Sequence, residues 1–393
     1  MIFSFTGIFN ASHYLYAMAN GFFRRQTKRI VILANIITAI LFLLGSYSYL
    51  FNPRRFWFIG MLNLSAFYLL LILIGFAVFW FFVKPRRALI SAAAILLALK
   101  PTSHILPFRF SHSFATTKAD SSIRVMTWNV AQFNVLNDKK DPAVKNDMLN
   151  LINYYQPDIA CFQEMVAEDG DEPKHGHIRD YVKRLGFADY LYSYNEKEDF
   201  WGHAHFGIII FSKYPIINKK TVSPYPHSYN SIFQYIDILK GTDTIRVFNI
   251  HLQSLRFSRT NLKYIDDPTI EEEKTIKESR SILGKFKRGF LKRQEQADRI
   301  RAELDQSPYP VILTGDFNDL PNSYAYHTIG GNMQNAFVEK GAGLGRTFSS
   351  ISPVLRIDNI FADRHFNVLQ CERVGKRLSD HFPLISDLQL EKK

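Results

Sequence analysis

Val311-Ile312-Leu313-Thr314-Gly315-Asp316-Phe317-Asn318-Asp319 is a short apolar run that breaks at a glycine into a cluster of polar side chains. Such a run reads as a buried strand, and the cluster behind it marks the strand's end. One Asp after one strand is ordinarily a turn or a helix cap. Here the arrangement recurs along the chain. Ile123 to Val130 ends in Trp128-Asn129, and Asp158 to Gln163 ends in Gln163-Glu164. Ile245 to Leu252 leads through Asn249 and His251 into Gln253-Ser254. Arg356 and Asp358 open the run Ile357 to Phe361, and Ser379-Asp380-His381 precedes Leu384 to Leu390. Phe206 to Phe211 is a further apolar run. Helical patterns fall between the runs at 142–155, 175–185 and 274–305; the first places Val144, Met148, Leu151 and Ile152 at helical spacing. The pattern is α/β, with strands buried on both faces or packed sheet on sheet. Strand ends at one rim of a sheet converge on one site.

The collected side chains are hard oxygen ligands and two histidines, without clustered Cys or His. That inventory argues against zinc and for Mg²⁺ or Mn²⁺. Carboxylates, a divalent cation and a His–Asp pair suit attack of activated water on a phosphoester.

Thr127-Trp128-Asn129-Val130, Gln163-Glu164, His251-Leu252-Gln253-Ser254, Gly315-Asp316-Phe317-Asn318, Arg356-Ile357-Asp358 and Ser379-Asp380-His381 together resemble the ordered motifs of the endonuclease/exonuclease/phosphatase superfamily. The resemblance runs from Ile123 to the end of the chain. It implies a four-layer α/β sandwich, two packed mixed sheets flanked by helices. It also implies roles. Glu164 is the principal metal ligand with Asn129 beside it, and Asp380 is a further ligand. His381 is the general base and Asp358 orients it. Asp316 positions the nucleophile, Asn318 donates to a phosphate oxygen, and His251 donates to the phosphoryl oxygens and assists the leaving group. The family's nucleases commonly set a carboxylate against the residue equivalent to His251. Glu196 and Glu198 lie in the right region but in no clear motif. Gly207 and Ser212 to Pro215 match a structural strand, Asn230 reads as a loop cap, and His203 and His205 read as surface loop residues.

The N-terminal third is of another kind. Ile30 to Phe51 and Phe56 to Val83 are uncharged runs long enough to cross a hydrocarbon core of ~30 Å as helices. A third segment, about 88–106, spans if Lys100 snorkels. The expected organisation is therefore an N-terminal transmembrane helical region at 1–110 with two or three spans, a linker at 111–121, and a catalytic domain at 122–393. The basic clusters at 24–29 and 84–87 should be cytoplasmic. Three spans then put the catalytic domain on the extracytoplasmic side of an inner or plasma membrane, and two keep it in the cytoplasm. Met18 is a second possible start.

Charge follows the same division. The formal net charge is +12, yet residues 1–119 hold 12 Lys and Arg and no acid, leaving 36 bases balanced by all 36 acids thereafter. A neutral catalytic domain disfavours a nucleic-acid substrate, because duplex binding depends on neutralising phosphates. Cys161 and Cys371 make no disulfide framework and read as core thiols. Residues 274–293 form a basic amphipathic stretch that either packs on its own sheet or lies on anionic lipid. The expected function is a metal-dependent phosphoesterase at a lipid bilayer, acting on a lipid headgroup or another small phosphoester. The alternatives are a membrane-anchored nuclease on DNA or RNA, and a non-catalytic binding protein.

Overall fold

The structure is a computed structural model that describes residues 6–109, 113–137, 142–168, 177–200, 204–222, 232–257, 259–266 and 272–391. Four helices come first: α1 (Thr6–Ser46), α2 (Pro53–Val83), α3 (Pro85–Leu97) and α4 (Leu99–Ile105). Within α1 the stretch Arg24–Ser46, and α2 over its whole length, are long and apolar enough to cross a membrane. The first candidate span thus stops five residues before the expected Phe51, because a 3₁₀ turn at Ser48–Leu50 reverses the chain. The expected third segment is helical but broken, with α3 and α4 bent by 65° about Ala98. Small residues let these helices approach closely: a Cβ on Gly45 would fall 2.5 Å from the Leu62 carbonyl oxygen.

The rest of the chain forms two six-stranded sheets. The first, in the order β11-β12-β1-β2-β4-β3, comprises β1 (Ser122–Asn129), β2 (Ile159–Ala167), β3 (Asp189–Phe200), β4 (Ala204–Ser212), β11 (Phe366–Arg373) and β12 (Leu384–Leu390). The second, β5-β6-β7-β8-β10-β9, comprises β5 (Ile216–Val222), β6 (Phe233–Lys240), β7 (Asp243–His251), β8 (Val311–Asp316), β9 (Gln334–Asn335) and β10 (Asp358–Ala362). Both are mixed: β1–β2 and β7–β8 pair parallel, while β1–β12 and β8–β10 pair antiparallel. Alternation along the strands supplies each layer of core. Ile123 and Val125 of β1 face Ile236, Val247 and Ile312 of the other sheet. Met126 and Trp128 face outward onto α5 (Pro142–Tyr155) and α6 (Ile178–Leu185). The second sheet's outer face is covered by α8 (Glu272–Asp305) and α9 (Tyr324–Gly330). The short helices α7 (Arg259–Asp266) and α10 (Ala336–Lys340) complete the set. This is the expected four-layer sandwich. Both cysteines are buried free thiols, as expected.

The linker is not loose throughout. Arg124, buried in β1, forks onto Asp387 at 2.7 and 2.8 Å and also donates to the carbonyls of Ala115 and Thr116. Nor do the apolar helices stand apart from the sandwich. Asn322 accepts from Ser48 through its carbonyl at 2.7 Å and donates through its side chain to the Pro101 carbonyl at 2.8 Å. Both the α1–α2 turn and the end of the α3–α4 pair therefore reach one loop. Tyr49 stacks on His327 with ring centres 3.7 Å apart, Arg356 donates to the His104 carbonyl, and Gly343 donates to that of Pro107 at 2.9 Å. At the other end of the helices, Lys28 lies within electrostatic reach of Lys84 and Arg87.

Candidate active site

Strand register assembles the site. In the second sheet Asp316, the last residue of β8, stands opposite His251 of β7 on one side and Asp358 of β10 on the other. From the first sheet, Asn129 at the end of β1 donates to Asp316 Oδ2 at 3.2 Å. The sheets are tied together below by Gln163, which donates to Asn249 Oδ1 at 2.7 Å, and Asn249 donates back to the Phe162 and Ile209 carbonyls. Gln163 is thus a cross-sheet strut.

His381 and Asp358 form the tightest pair. The imidazole Nδ1 lies 2.8 Å from Asp358 Oδ2, and its Nε2 lies 3.7 Å from Asp316 Oδ2. All three side chains are buried. Burial opposes charging of His381, but the Asp358 and Asp316 carboxylates outweigh it and hold the imidazole up at about 10. Burial and the neighbouring Asp358 charge push Asp316 up to about 7. The backbone N–H groups of Ile357 and Asp358 both donate to Thr347 Oγ1, at 2.9 and 3.0 Å. Phe348 sets its ring edge to face with His381, centres 5.0 Å apart. Trp128 donates its indole N–H to the His381 carbonyl at 2.9 Å. Thr347 and Phe348 carry no sequence signal, since what matters is the strand-like pairing of Phe348 with His381.

Glu164 does not end a strand. The strand β2 continues to Ala167, and Glu164 sits in a β-bulge with φ 54°. A bulge re-aims a side chain, and strain of this kind concentrates at functional sites. Burial and the charge of Asp380 raise the Glu164 carboxyl above its ordinary value, and the Asn129 side chain bonds to it. Asp380 itself is exposed and accepts from Ser379 at 3.1 Å. Asn318 has φ 48°; its backbone N–H donates to Asp316 Oδ1 at 2.8 Å, and its amide donates to the Leu252 carbonyl at 3.0 Å.

His251 Nε2 lies 3.7 Å from Asp316 Oδ2 and 3.9 Å from Glu164 Oε1. Burial, with the charges of His381 and Arg256, drives its pKa down to about 3, so the ring is neutral near pH 7. The side chains of Glu196 and Glu198, and the whole of His203 and Asn230, lie outside the described residues. His205, expected on a surface loop, instead lies in β4 and stacks on Tyr194 with centres 4.0 Å apart. Gly207 is structural, as expected: a Cβ there would fall 2.1 Å from the Ser193 carbonyl oxygen.

Asp316, Asp358 and His381 offer donor atoms within 4.8 Å of one another, close enough to hold a metal ion. The hydrogen bond between His381 and Asp358, with Asp316 3.7 Å from the other ring nitrogen, reads instead as a proton-handling cluster. Glu164, Asn129 and Asp380 are an oxygen-rich group adjacent to it, and the mutual repulsion of two carboxylates there is what a divalent cation would relieve.

The sequence pattern described as Endonuclease/Exonuclease/phosphatase family matches residues 126–381, and one described as Domain of unknown function (DUF8431) matches residues 28–105. A comparison with curated proteins finds no match. Among solved structures, an endonuclease/exonuclease/phosphatase from Bacteroides vulgatus is 19% identical, with TM-score 0.50, over 69% of this chain and 100% of that one. Another from Beutenbergia cavernae is 17% identical, with TM-score 0.48, over 69% and 72%. The human Nocturnin catalytic domain with bound sulfate is 17% identical, with TM-score 0.47, over 70% and 97%. The family's proteins generally hydrolyse phosphoester bonds and typically depend on a divalent metal. With that pattern matched across both sheets, the chain belongs to the endonuclease/exonuclease/phosphatase family.

Proposed function

We propose that the chain is a membrane-anchored, metal-dependent phosphoesterase that uses water to cleave a lipid headgroup or another small phosphoester. The observation that carries the reading is the buried His381–Asp358 pair at 2.8 Å, with Arg356, two residues before Asp358, and Asn322, beyond Asp316, hydrogen-bonded to the apolar helices. His381 in its neutral form takes the proton of the attacking water at Nε2; the two carboxylates beside it favour the charged ring, so the neutral form grows as pH rises. Asp358 holds the other ring nitrogen and stabilises the charged ring as the proton arrives. Asp316, 3.7 Å from that Nε2, orients the water. Neutral His251 presents an N–H to a phosphoryl oxygen, with Asn318 on the same side; at its depressed pKa it is a hydrogen-bond donor and a poor proton reservoir. Glu164, Asn129 and Asp380 would hold Mg²⁺ or Mn²⁺. When bound, that ion supplies positive charge opposite the phosphoryl oxygens.

Two candidate spans and the bent pair α3–α4 return the chain to the side of the α1–α2 turn, since Ser48 and Pro101 meet at Asn322. The basic clusters at 24–29 and 84–87 then face the cytoplasm and the catalytic part faces outward.

The test uses the full chain in detergent, with Mg²⁺ and with EDTA. Hydrolysis of phospholipid in mixed micelles is compared with nicking of plasmid DNA, with His381→Ala as the blank. Mg²⁺-dependent release of a headgroup product, absent from the blank, supports the reading. Efficient DNA nicking without lipid cleavage replaces it with a membrane-anchored nuclease.

A further inference from the structure

Beyond His251 the chain runs as an irregular strap, residues 252–257, alongside α8. The strap is anchored repeatedly. Leu252 accepts from Asn318 in the active site, the Gln253 N–H donates to Gln296 at 2.9 Å, and the Gln253 carbonyl accepts from Arg293 at 2.9 Å. Farther along, Lys285 donates to the Arg256 carbonyl at 2.6 Å. Close approach of strap and helix depends on Gly289, where a Cβ would fall 2.6 Å from Leu255 Cδ2.

Between strap and helix lies an open groove of about 440 Å³. Its walls carry four cations, Arg256, Lys285, Arg288 and Lys292, against a single carboxylate, Glu295. That carboxylate is spent on Lys292, 3.7 Å away. Arg256 is held at φ 47°, a conformation that costs a non-glycine residue energy and persists where its placement is fixed by its surroundings. Its charge is felt at His251, which puts the groove within electrostatic reach of the reacting centre.

The same stretch of α8 meets the start of α2 on its other face. A Cβ on Gly60 would lie 3.0 Å from the Phe290 ring, and Lys287 sits over Trp57 at 5.9 Å. Ile276 and Leu283, seven residues apart on α8, are exposed. An apolar candidate span therefore begins at the same level along α8 as the groove, the level where lipid headgroups stand.

We propose that this groove binds a second anionic group of the substrate, a phosphate monoester carried beside the scissile phosphoester. The inference rests on the phosphoesterase reading above. Two guanidinium forks and two ammonium groups around one cavity suit a dianion with several acceptor oxygens. The same four cations repel a headgroup that ends in a quaternary ammonium.

The experiment reads binding, so that it stands apart from turnover. Full-length His381→Ala in detergent is titrated calorimetrically with dioctanoyl phosphatidylinositol and with dioctanoyl phosphatidylinositol 4-phosphate. The 4-phosphate should bind on the order of tenfold tighter. Adding Lys285→Glu and Arg288→Glu should abolish the preference. Arg280→Glu, on the same helix but outside the groove, should leave it intact. Equal binding of the two lipids, or a preference that survives the double reversal, overturns the proposal. Displacement of the 4-phosphate lipid by inorganic phosphate would assign the groove to soluble phosphate esters, and resistance to it would assign the groove to the headgroup. Displacement by oligothymidylate at lower concentration than by either phosphate would overturn the proposal in favour of a nucleic-acid track. Absence of lipid hydrolysis in the wild type, with the binding preference present, would count against the reaction and not against the groove.

Discussion

Replacing Asp358 by Asn changes one atom in a fully buried side chain and should remove most of the catalysis. In the wild type, Oδ2 faces His381 Nδ1 at 2.8 Å, and Oδ1 has no hydrogen-bond partner among the described residues. An asparagine has two ways to sit there. With its oxygen toward Nδ1, the amide NH₂ occupies the Oδ1 position and finds no acceptor, at a cost of about 1–3 kcal/mol. With its NH₂ toward Nδ1, it donates to that nitrogen and forces the ring proton onto Nε2, where the lone pair for the water is needed. Either way the stronger of the two carboxylates that raise His381 is gone, and burial then weighs more heavily against the charged ring. The loss in kcat should be on the order of 10³–10⁴-fold, as for other buried carboxylate–histidine pairs. The assay is Mg²⁺-dependent phosphoester release by the full chain in detergent, with thermal unfolding measured on the same sample. A folded variant within tenfold of wild type would refute the assignment of His381 Nε2 as the base.

Arg293→Ala should destabilise the fold by about 3–5 kcal/mol, because it strands buried Asp319, now 3.0 Å from the guanidinium. Denaturant unfolding should show that Arg293→Met with Asp319→Leu recovers much of the loss. Gly315→Ala should part β7 from β8 and abolish activity, since Gly315 has φ 143° and a Cβ would fall 2.0 Å from the Ile250 carbonyl oxygen. Loss of soluble, folded protein on expression checks this. His327 sits beneath Tyr49, and burial, together with the nearby His104 and Lys100, drives its pKa down to about 3. A histidine held neutral in the fold contributes stability that is complete above the unfolded value of about 6.5 and falls as pH drops toward the folded value. The melting temperature should therefore fall between pH 6.5 and 4, and His327→Phe should flatten that dependence.

The strands that carry chemistry were legible because they are central. Val311 to Leu313 and Ile245 to Leu252 are buried on both faces, and their apolar runs stand out. The edge strands β3, β5 and β11 were not. Ile216–Val222 exposes most of its length, and its lysines break the apolar run by which a strand is found, although charged side chains are what an edge strand carries against stray pairing. The site was legible as residue types in order: Asn129, His251, Asp316, Asp358 and His381 are brought to one place. The bulge at Glu164 was not, since φ leaves no mark in the residue name. Nor was the support given by Thr347 and Phe348, which comes from chain pairing. The basic stretch of α8 was read as packing either on its own sheet or on lipid; the structure adds a third neighbour, the start of α2.

Several of the contacts that join the apolar helices to the catalytic loops end on main-chain oxygens. Asn322 and Arg356 reach the carbonyl oxygens of Pro101 and His104, and Gly343 reaches that of Pro107. Any residue offers that oxygen. Among homologues, these acceptor positions can therefore drift while the bonds persist, and paired substitutions will not betray them. A search for co-varying positions would find the join only at its side-chain contacts, such as the stack of Tyr49 on His327, and would miss the part made by the main chain.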